Sequence, residues 1–323
     1  MARIFVYEPL SAGDAETTQA LGPGSAAHGE MLAAGRGMRD AVAADLARIA
    51  GAAVTVAVDQ QEASHGLRTA TAQAGEDAVA FVRRQAVRHD LCWIIAPESD
   101  GLLLRLCEAV GPARWIGCSA GAIRVAASKG ATCAALAAAG IATPLAFGER
   151  HAGAWIVKPD DGAGAMETRW HPTREAAGAD LQERRRAGRH AVAEPFIAGE
   201  ALSVSMIVGP DLARPLAVNR QQLVVDAGGW LHDLGVQPAA LAAGDARAAT
   251  LHALAPRVAA AIPGLRGYVG IDLVWNEKEG PVVIEVNPRV TCAYVGLSAI
   301  LHRNVAREVL ALHAGKVADH APA

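Results

Sequence analysis

The sequence predicts an α/β protein that opens on a doubly wound parallel sheet and closes on an antiparallel hairpin. Three observations carry this. Leu91–Ala96 is an unbroken apolar run, the pattern of a strand buried on both faces. Strand-like and helix-like runs alternate as βαβαβ over about residues 1–125. Towards the other end, Gly267–Tyr294 (GYVGIDLVWNEKEGPVVIEVNPRVTCAY) reads as two strands, Tyr268–Trp275 and Val282–Val286, around the polar turn Asn276–Pro281. A length of 323 residues leaves room for about two or three domains, and 52% hydrophobic residues with only 4% aromatics fit a helix-rich α/β chain.

Taken in order, Arg3–Tyr7 is the first buried strand, and Glu8–Gly29 follows as a long Gly/Ala/Ser-rich connection of the kind that often serves function. Glu30–Ala50 has helical periodicity through Met31, Met38, Val42, Leu46 and Ile49. Val54–Val58 is a strand, Ala74–Arg88 a helix with Val79, Val82 and Ala86 inward, Glu98–Val110 a helix and Trp115–Gly117 a short strand. Ligands of such sheets bind beyond the carboxyl ends of the strands. There, Glu8, Glu98, Ser99 and Asp100 are placed to receive an amine; equally, Glu98 and Asp100 suit the dipole at a helix start. Ser128 caps a helix Lys129–Ala139 that Gly140 stops. Trp155–Lys158 is a strand running into Pro159-Asp160-Asp161-Gly162-Ala163-Gly164, a loop whose backbone N–H groups can close over phosphates. Val192–Ile197, Leu202–Val208 and Leu216–Val225 read as extended, Asp245–Ile262 as a helix kinked at Pro256, and Leu297–Ala314 as a terminal helix before a fraying tail.

The net charge of −3, without a basic stripe, excludes nucleic acid as a partner. The short run Glu183–Arg186 with Arg189 fits a solvated helix end. Five cysteines without a CxxC pair fit reduced thiols in the cytosol. MARIFVYEPL lacks the apolar core of a signal peptide, and no segment has the length and apolarity of a membrane span. There is no G-x-G-x-x-G after the first strand, no Walker A sequence and no HExxH. Gly117-Cys118-Ser119-Ala120-Gly121 matches the G-x-S-x-G nucleophile elbow, which keeps a Ser119 α/β-hydrolase open as an alternative beside a plain strand-to-helix turn. The Ala-rich residues 239–261 are a candidate homo-oligomer contact.

The hairpin holds the strongest chemical signal. Pairing Trp275 with Val282 sets Leu273 opposite Ile284 and Asp272 opposite Glu285, with Asn287 on the same face. Two carboxylates ~5 Å apart repel by roughly 3 kcal/mol at an effective dielectric of ~20, and a cation between them removes that cost. An all-oxygen donor set of Asp272, Glu285 and Asn287 suits Mg²⁺ or Mn²⁺, completed by water and phosphate oxygens. Arg289 lies two residues on, where it can reach a phosphate or a carboxylate. The plain alternative is a solvated hairpin face with ordinary surface charges.

The order Ser128-Lys129, Val157-Lys158-Pro159 with its glycine loop, EPFIAGEALSVS, GIDLVW and VIEVNPR resembles the ATP-grasp superfamily over about residues 126–310. The resemblance implies a pre-ATP-grasp α/β domain over 1–125. It implies next a two-lobed α+β module with an antiparallel sheet, its small lobe over 126–194 and its C-terminal lobe, with the metal site, over 195–323. It implies ATP and Mg²⁺ (or Mn²⁺) as cofactors and the joining of a carboxylate to an amine through an acylphosphate. Carried over by residue, Lys129 and Lys158 contact ATP phosphates, and the backbone of Gly162 and Gly164 closes over them. Glu194 takes the adenine amino group, and the backbone of Phe196 or Ile197 completes the contact. Glu200 binds the ribose, Asp272, Glu285 and Asn287 hold the metal, and Arg289 meets the γ-phosphate, with Arg220 a second candidate for that charge. A nucleotide-binding protein without catalysis is the further alternative. GEMLAAGRGM, APESDG and NPRVTCAYVGL resemble more narrowly the tyramine–glutamate ligase group of methanofuran biosynthesis, which implies an amino acid and an amine as substrates. Thr291-Cys292-Ala293-Tyr294 and Ser11-Ala12-Gly13-Asp14 depart from that group's pattern, which bears on the substrate pair rather than on the chemistry.

Overall fold

A computed structural model describes residues 2–60, 62, 66–148, 153–162, 164–242 and 244–313. Ala163 of the glycine loop, Ala243 of the Ala-rich stretch and the tail from residue 314 onward lie outside the described residues. The chain divides into two compact units. The first comprises residues 1–96, 102–120 and 289–323, the second residues 97–101 and 121–288.

The first unit is built on β1 (Ala2–Tyr7), α1 (Ala15–Leu21), α2 (Ala26–Ala47), β2 (Ala52–Ala57), β3 (Arg68–Ala70), α3 (Ala78–Ala86), β4 (Leu91–Ile94), α4 (Leu102–Val110) and β5 (Trp115–Ile116). Its five strands are all parallel, in the order β3-β2-β1-β4-β5. Apolar side chains fill both faces: Ile4, Phe5 and Val6 are fully buried, as are Cys92 and, on helices, Val42, Leu46 and Val82. Polar groups gather at the sheet's rim. Glu8, just past β1, accepts from the backbone N–H of Leu10 and of Ser11 at 3.2 and 2.8 Å. Burial pushes its carboxyl up, against the lowering by those Ser11 hydrogen bonds. Buried Arg39 on α2 pairs with Glu62 at 2.5 Å and Asp40 at 2.8 Å.

Two expectations change here. Glu8–Gly29 is not one structureless loop: α1 forms inside it with Asp14 as its cap, and α2 begins at Ala26, capped by Ser25. α1 buries no residue, so its sequence carries no apolar stripe to announce it. α4 starts at Leu102 rather than Glu98, after a 3₁₀ turn in which Asp100 has φ 53. The G-x-S-x-G stretch is a turn from β5 into the next helix: Gly117 has φ +141, and a Cβ there would meet the Trp115 indole at 3.1 Å.

The second unit continues with α5 (Ala120–Ala127), α6 (Lys129–Ala138), β6 (Trp155–Pro159), β7 (Arg169–His171), α7 (Arg174–Arg186), β8 (Ala191–Pro195), β9 (Glu200–Gly209), β10 (Leu212–Val225), β11 (Leu231–Gln237), α8 (Ala246–Ala261), β12 (Gly267–Asn276) and β13 (Gly280–Asn287). It holds an antiparallel three-stranded sheet, β7-β6-β8, and an antiparallel five-stranded sheet, β11-β10-β9-β12-β13. α7 packs under the small sheet through a core of Trp155, Val157, Ala177 and Ala191. Its basic end is not simply solvated: Arg184 is buried, holding Asp180 and the Glu167 carbonyl.

The hairpin register departs from simple alternation. Asp272 does pair with Glu285, but Leu273 pairs with Val283, Val274 with Val282 and Trp275 with Pro281. Ile284 is the extra residue of a bulge, so Val283, not Ile284, takes the buried position. The predicted terminal helix is two short ones, α9 (Leu297–Ile300) and α10 (Val305–Ala311), within the first unit. Between them His302 takes φ 51 and Asn304 caps α10 by accepting from Arg307 N–H at 2.8 Å. This segment docks on α2, where Asp45 accepts from Tyr294 Oη at 2.7 Å and its carbonyl accepts from Asn304 Nδ2 at 2.8 Å. Cys92, Cys107, Cys118 and Cys133 are buried, and Cys292 is exposed. Among the described residues no helix is long and apolar enough to cross a membrane.

Candidate functional site

The site grows from one face of the second unit's five-stranded sheet. Asp272 on β12 and Glu285 on β13 are opposed in register, and Asn287 Nδ2 donates to Asp272 Oδ2 at 2.9 Å. These three therefore share one face of the hairpin, since the bulge lies beyond Asp272 on the turn side. Glu285 is not left with like charge alone: Lys129 Nζ lies 3.4 Å from its Oε2. Lys129 sits in the first turn of α6, where a cation opposes the helix dipole, and it is nevertheless buried. Its ammonium also donates to the Gly162 carbonyl at 2.5 Å, which ties the helix start to the glycine loop.

That loop is anchored on both sides. Asp160 accepts from Gly130 N–H at 2.9 Å through its side chain and from Lys129 N–H at 2.9 Å through its carbonyl. Asp161 accepts from Asp100 N–H at 2.8 Å. Past Gly164, Ala165 and Glu167 both have positive φ, 59 and 50, a conformation that side-chain-bearing residues adopt at a cost.

Lys158, on β6, forms a short ion pair with Glu194 on β8. Burial pulls against its charge, but the Glu194 and Glu285 carboxylates together raise its pKa above the ordinary lysine value. Register places Ile156 opposite both Trp170 and Glu194, so Trp170, Glu194 and Lys158 project from one face of the small sheet. A cleft of about 410 Å³ is lined by Trp170, Phe196, Val225 and Asp226 among others, with Lys158 and Glu194 outside its lining. Phe196 and Ile197 follow β8, and Phe196 N–H donates to the Ala154 carbonyl at 2.8 Å. Gly199 fixes the turn out of this stretch: with φ +155, any Cβ would fall 2.2 Å from the Trp275 carbonyl oxygen.

No cluster of three or more His, Cys, Asp or Glu among the described residues is placed to hold a metal. The Asp272, Glu285 and Asn287 set instead offers two carboxylates and an amide, all hard oxygen donors. Few protein oxygens, beside two lysines that attract phosphate, are what Mg²⁺ accepts when water and phosphate complete its shell. The residues fit the group.

A family model of the ATP-grasp domain matches residues 126–293, and one of the pre ATP-grasp 3 domain matches residues 52–123. The chain belongs to the ATP-grasp family. It is 29% identical over 217 residues to tyramine–L-glutamate ligase of Methanocaldococcus jannaschii, a match over 64% of this chain and 58% of that one. The chain thus spans about three fifths of the length of the curated relatives it matches. A crystal structure of an ATP-grasp superfamily protein from Archaeoglobus fulgidus shares the fold at TM-score 0.68 and 22% identity, over 96% of this chain and 88% of that one. D-alanine–D-alanine ligase from Bacillus anthracis, solved with ATP, does so at TM-score 0.63 and 14% identity, over 99% and 98%.

Within this ATP-grasp chain Lys129, Lys158, Gly162, Glu194, Asp272, Glu285 and Asn287 form one connected set. Glu200 and Arg220 stand apart from it. Glu200 pairs in register with Trp275, and Arg220 with Leu202, which puts both on the sheet face opposite Asp272. There Arg220 Nε donates to Glu200 at 2.6 Å, and Arg247 of α8 holds the other Glu200 oxygen. Arg289 begins the segment that returns to the first unit, and its Nη1 donates to the Val290 carbonyl at 3.1 Å. Four further residues have no role assigned from sequence: the loop anchors Asp160 and Asp161 and the buried Ser203 and Asn219. An aspartate pair followed by glycine was the available signal for the first two.

Proposed function

We propose that this chain is an ATP-dependent ligase that joins L-glutamate to tyramine or a related amine, forming an amide with ADP and phosphate. The observation that carries the reading is Glu285. It stands opposite Asp272, 3.4 Å from Lys129, and it acts electrostatically on buried Lys158. A spot where two carboxylates meet two lysines is arranged for a ligand that carries both a divalent cation and phosphates.

Lys129 and Lys158 take the phosphates, and the backbone N–H groups around Gly162 and Gly164 close over them. Glu194 with the backbone of Phe196, which lines the cleft, or of Ile197 takes the adenine edge. Asp272, Glu285 and Asn287 would hold Mg²⁺ (or Mn²⁺), which neutralises phosphate charge when bound. Arg289 steadies the γ-phosphoryl as it passes to the glutamate carboxylate. The P–O bond to ADP breaks as the acylphosphate forms. The amine nitrogen then attacks the acyl carbon, phosphate leaves, and the ammonium proton goes to solvent. The loop excludes water while the acylphosphate lasts. Glu200 and Arg220 are better assigned to fastening α8 to the sheet than to ribose or phosphate. We read the chain as a cytosolic protein of three segments, 1–125, 126–194 and 195–323, acting on small molecules.

The similarity to tyramine–L-glutamate ligase supports this substrate pair. The test is ADP release with Mg·ATP across paired acids and amines. Glutamate with tyramine is expected to give ADP and the amide together. ADP only with other pairs would retain the ligase and remove the pair, and no ADP with any pair would leave a nucleotide-binding protein.

A further inference from the structure

A polar row, half-buried at Glu285 and Asp272 and buried at Ser203 and Asn219, crosses the middle of the five-stranded sheet. Register sets Glu285 opposite Asp272, Asp272 opposite Ser203 on β9, and Ser203 opposite Asn219 on β10. Directly opposed residues of antiparallel strands project from the same face, so four polar side chains stand in line. Ser203 and Asn219 are 5% and 0% exposed. A hydrogen-bonded hydroxyl and amide at such depth stabilise a sheet little more than apolar groups of the same shape. Stability alone does not account for them.

Asn219 sets the direction of hydrogen bonding along the row. The Ala239 backbone N–H can only donate, and it donates to Asn219 Oδ1 at 3.1 Å, which fixes how the amide lies. Asn219 Nδ2 therefore faces the serines, donating to Ser203 Oγ at 3.1 Å, Ser205 Oγ at 3.0 Å and the Ser203 carbonyl at 3.3 Å. Ser203 Oγ is thus an acceptor towards Asn219 and keeps its own proton to give elsewhere. Its neighbour on the other side of the row is Asp272, which already accepts from Asn287.

We propose that, once a divalent cation is bound, Ser203, oriented by Asn219 and opposite Asp272 in register, donates to the Asp272 carboxylate and holds it towards the cation. Ser203 is a positioning residue: it acts through Asp272, as hydrogen-bond donors behind metal-binding carboxylates do. The inference rests on the metal-site reading above, and its test separates the two. Ser205 is an internal control. It belongs to the same network, with Oγ 2.7 Å from Tyr268 Oη, but it stands in register with Gly270, not with a carboxylate.

Mn²⁺ is titrated into the full-length protein with a saturating non-hydrolysable ATP analogue, and free Mn²⁺ is read by electron paramagnetic resonance against an analogue-only blank. Ser203→Ala is expected to weaken Mn²⁺ binding about tenfold, while Ser203→Thr, which keeps the hydroxyl, and Ser205→Ala stay at the wild-type value. Wild-type affinity in Ser203→Ala overturns the proposal and leaves the metal site standing. Equal weakening in Ser205→Ala overturns it as well, since that is general loosening of the sheet. A wild-type protein that binds no Mn²⁺ beyond the blank removes the metal site and the proposal together.

Discussion

The two five-stranded sheets of this protein spend their interiors differently. In the first unit the parallel sheet is apolar through its middle, with Ile4, Phe5, Val6 and Cys92 all fully buried, and its polar groups wait at the strand ends. In the second unit the antiparallel sheet carries Glu285, Asp272, Ser203 and Asn219 across its centre, with Leu202, Val204, Ile271 and Leu273 on the other face. A parallel sheet has both faces covered and no spare one, so its ligand sites fall at its edges. An antiparallel sheet can give one face to packing and the other to chemistry. Substitutions in the first sheet should therefore be felt as stability, and substitutions in the row as function.

The row is the place to break that contrast most sharply. Glu285→Ala is expected to lower turnover by about a hundredfold or more, the scale of losing a charged group that organises a transferring phosphoryl. The fold should persist, because relief of the repulsion on Asp272 offsets the lost contact with Lys129. Steady-state ADP release and a thermal melt check both halves. Unchanged ATP consumption would count against the metal site, and a large fall in melting temperature against the division of roles.

The converse substitution is Phe5→Ala. Phe5 is fully buried, with its ring centroid 5.8 Å from Phe81 in an edge-to-face contact and 5.4 Å from His89. Its loss should cost about 3–5 kcal/mol, read as a lower urea midpoint. Affinity for an ATP analogue, measured well below that midpoint, should stay at the wild-type value. A weakened nucleotide affinity would show that the apolar sheet is not merely scaffold.

The same contrast governs what could be read from sequence. Leu91–Ala96 announces a central parallel strand because apolar residues there have no alternative use. The short edge strands β3, β7 and β11 were silent: β3 and β11 bury no residue, so no periodicity marks them. In the hairpin, the alternation of Val282, Ile284 and Val286 gave the right partner for Asp272 but hid the bulge at Ile284, since three adjacent apolar residues can shift by one without a visible change. The acidic pair and Asn287 were legible because charges at alternate positions in an apolar strand are costly and need a cause. Ser203 and Asn219 were not. A serine in a strand fits either face, and only the pairing of β9 with β10 and β12 shows which one it occupies. Glu200 and Arg220 failed to join the set for the related reason that a motif gives order along the chain, while strand parity decides the face.

The smallest effect tests a polar cluster that has a structural cause, away from both sheet centres. Asp180 on α7 accepts from Arg184 Nε at 2.9 Å and lies 2.8 Å from His171 Nε2. Burial would raise its carboxyl, but the Arg184 and His171 hydrogen bonds outweigh that and hold it below the ordinary aspartate value of 3.8. A depressed folded-state value means the unfolded chain takes up the proton first. The stabilisation is therefore complete above the unfolded value and lost as pH falls through the folded one. Asp180→Asn should thus cost about 1–2 kcal/mol at neutral pH, and the gap to wild type should close on acidification below about pH 4. Urea melts of both proteins at pH 7 and pH 3 measure this. A gap that stays constant with pH would mean that packing of the side chain, rather than its charge, ties α7 to β7.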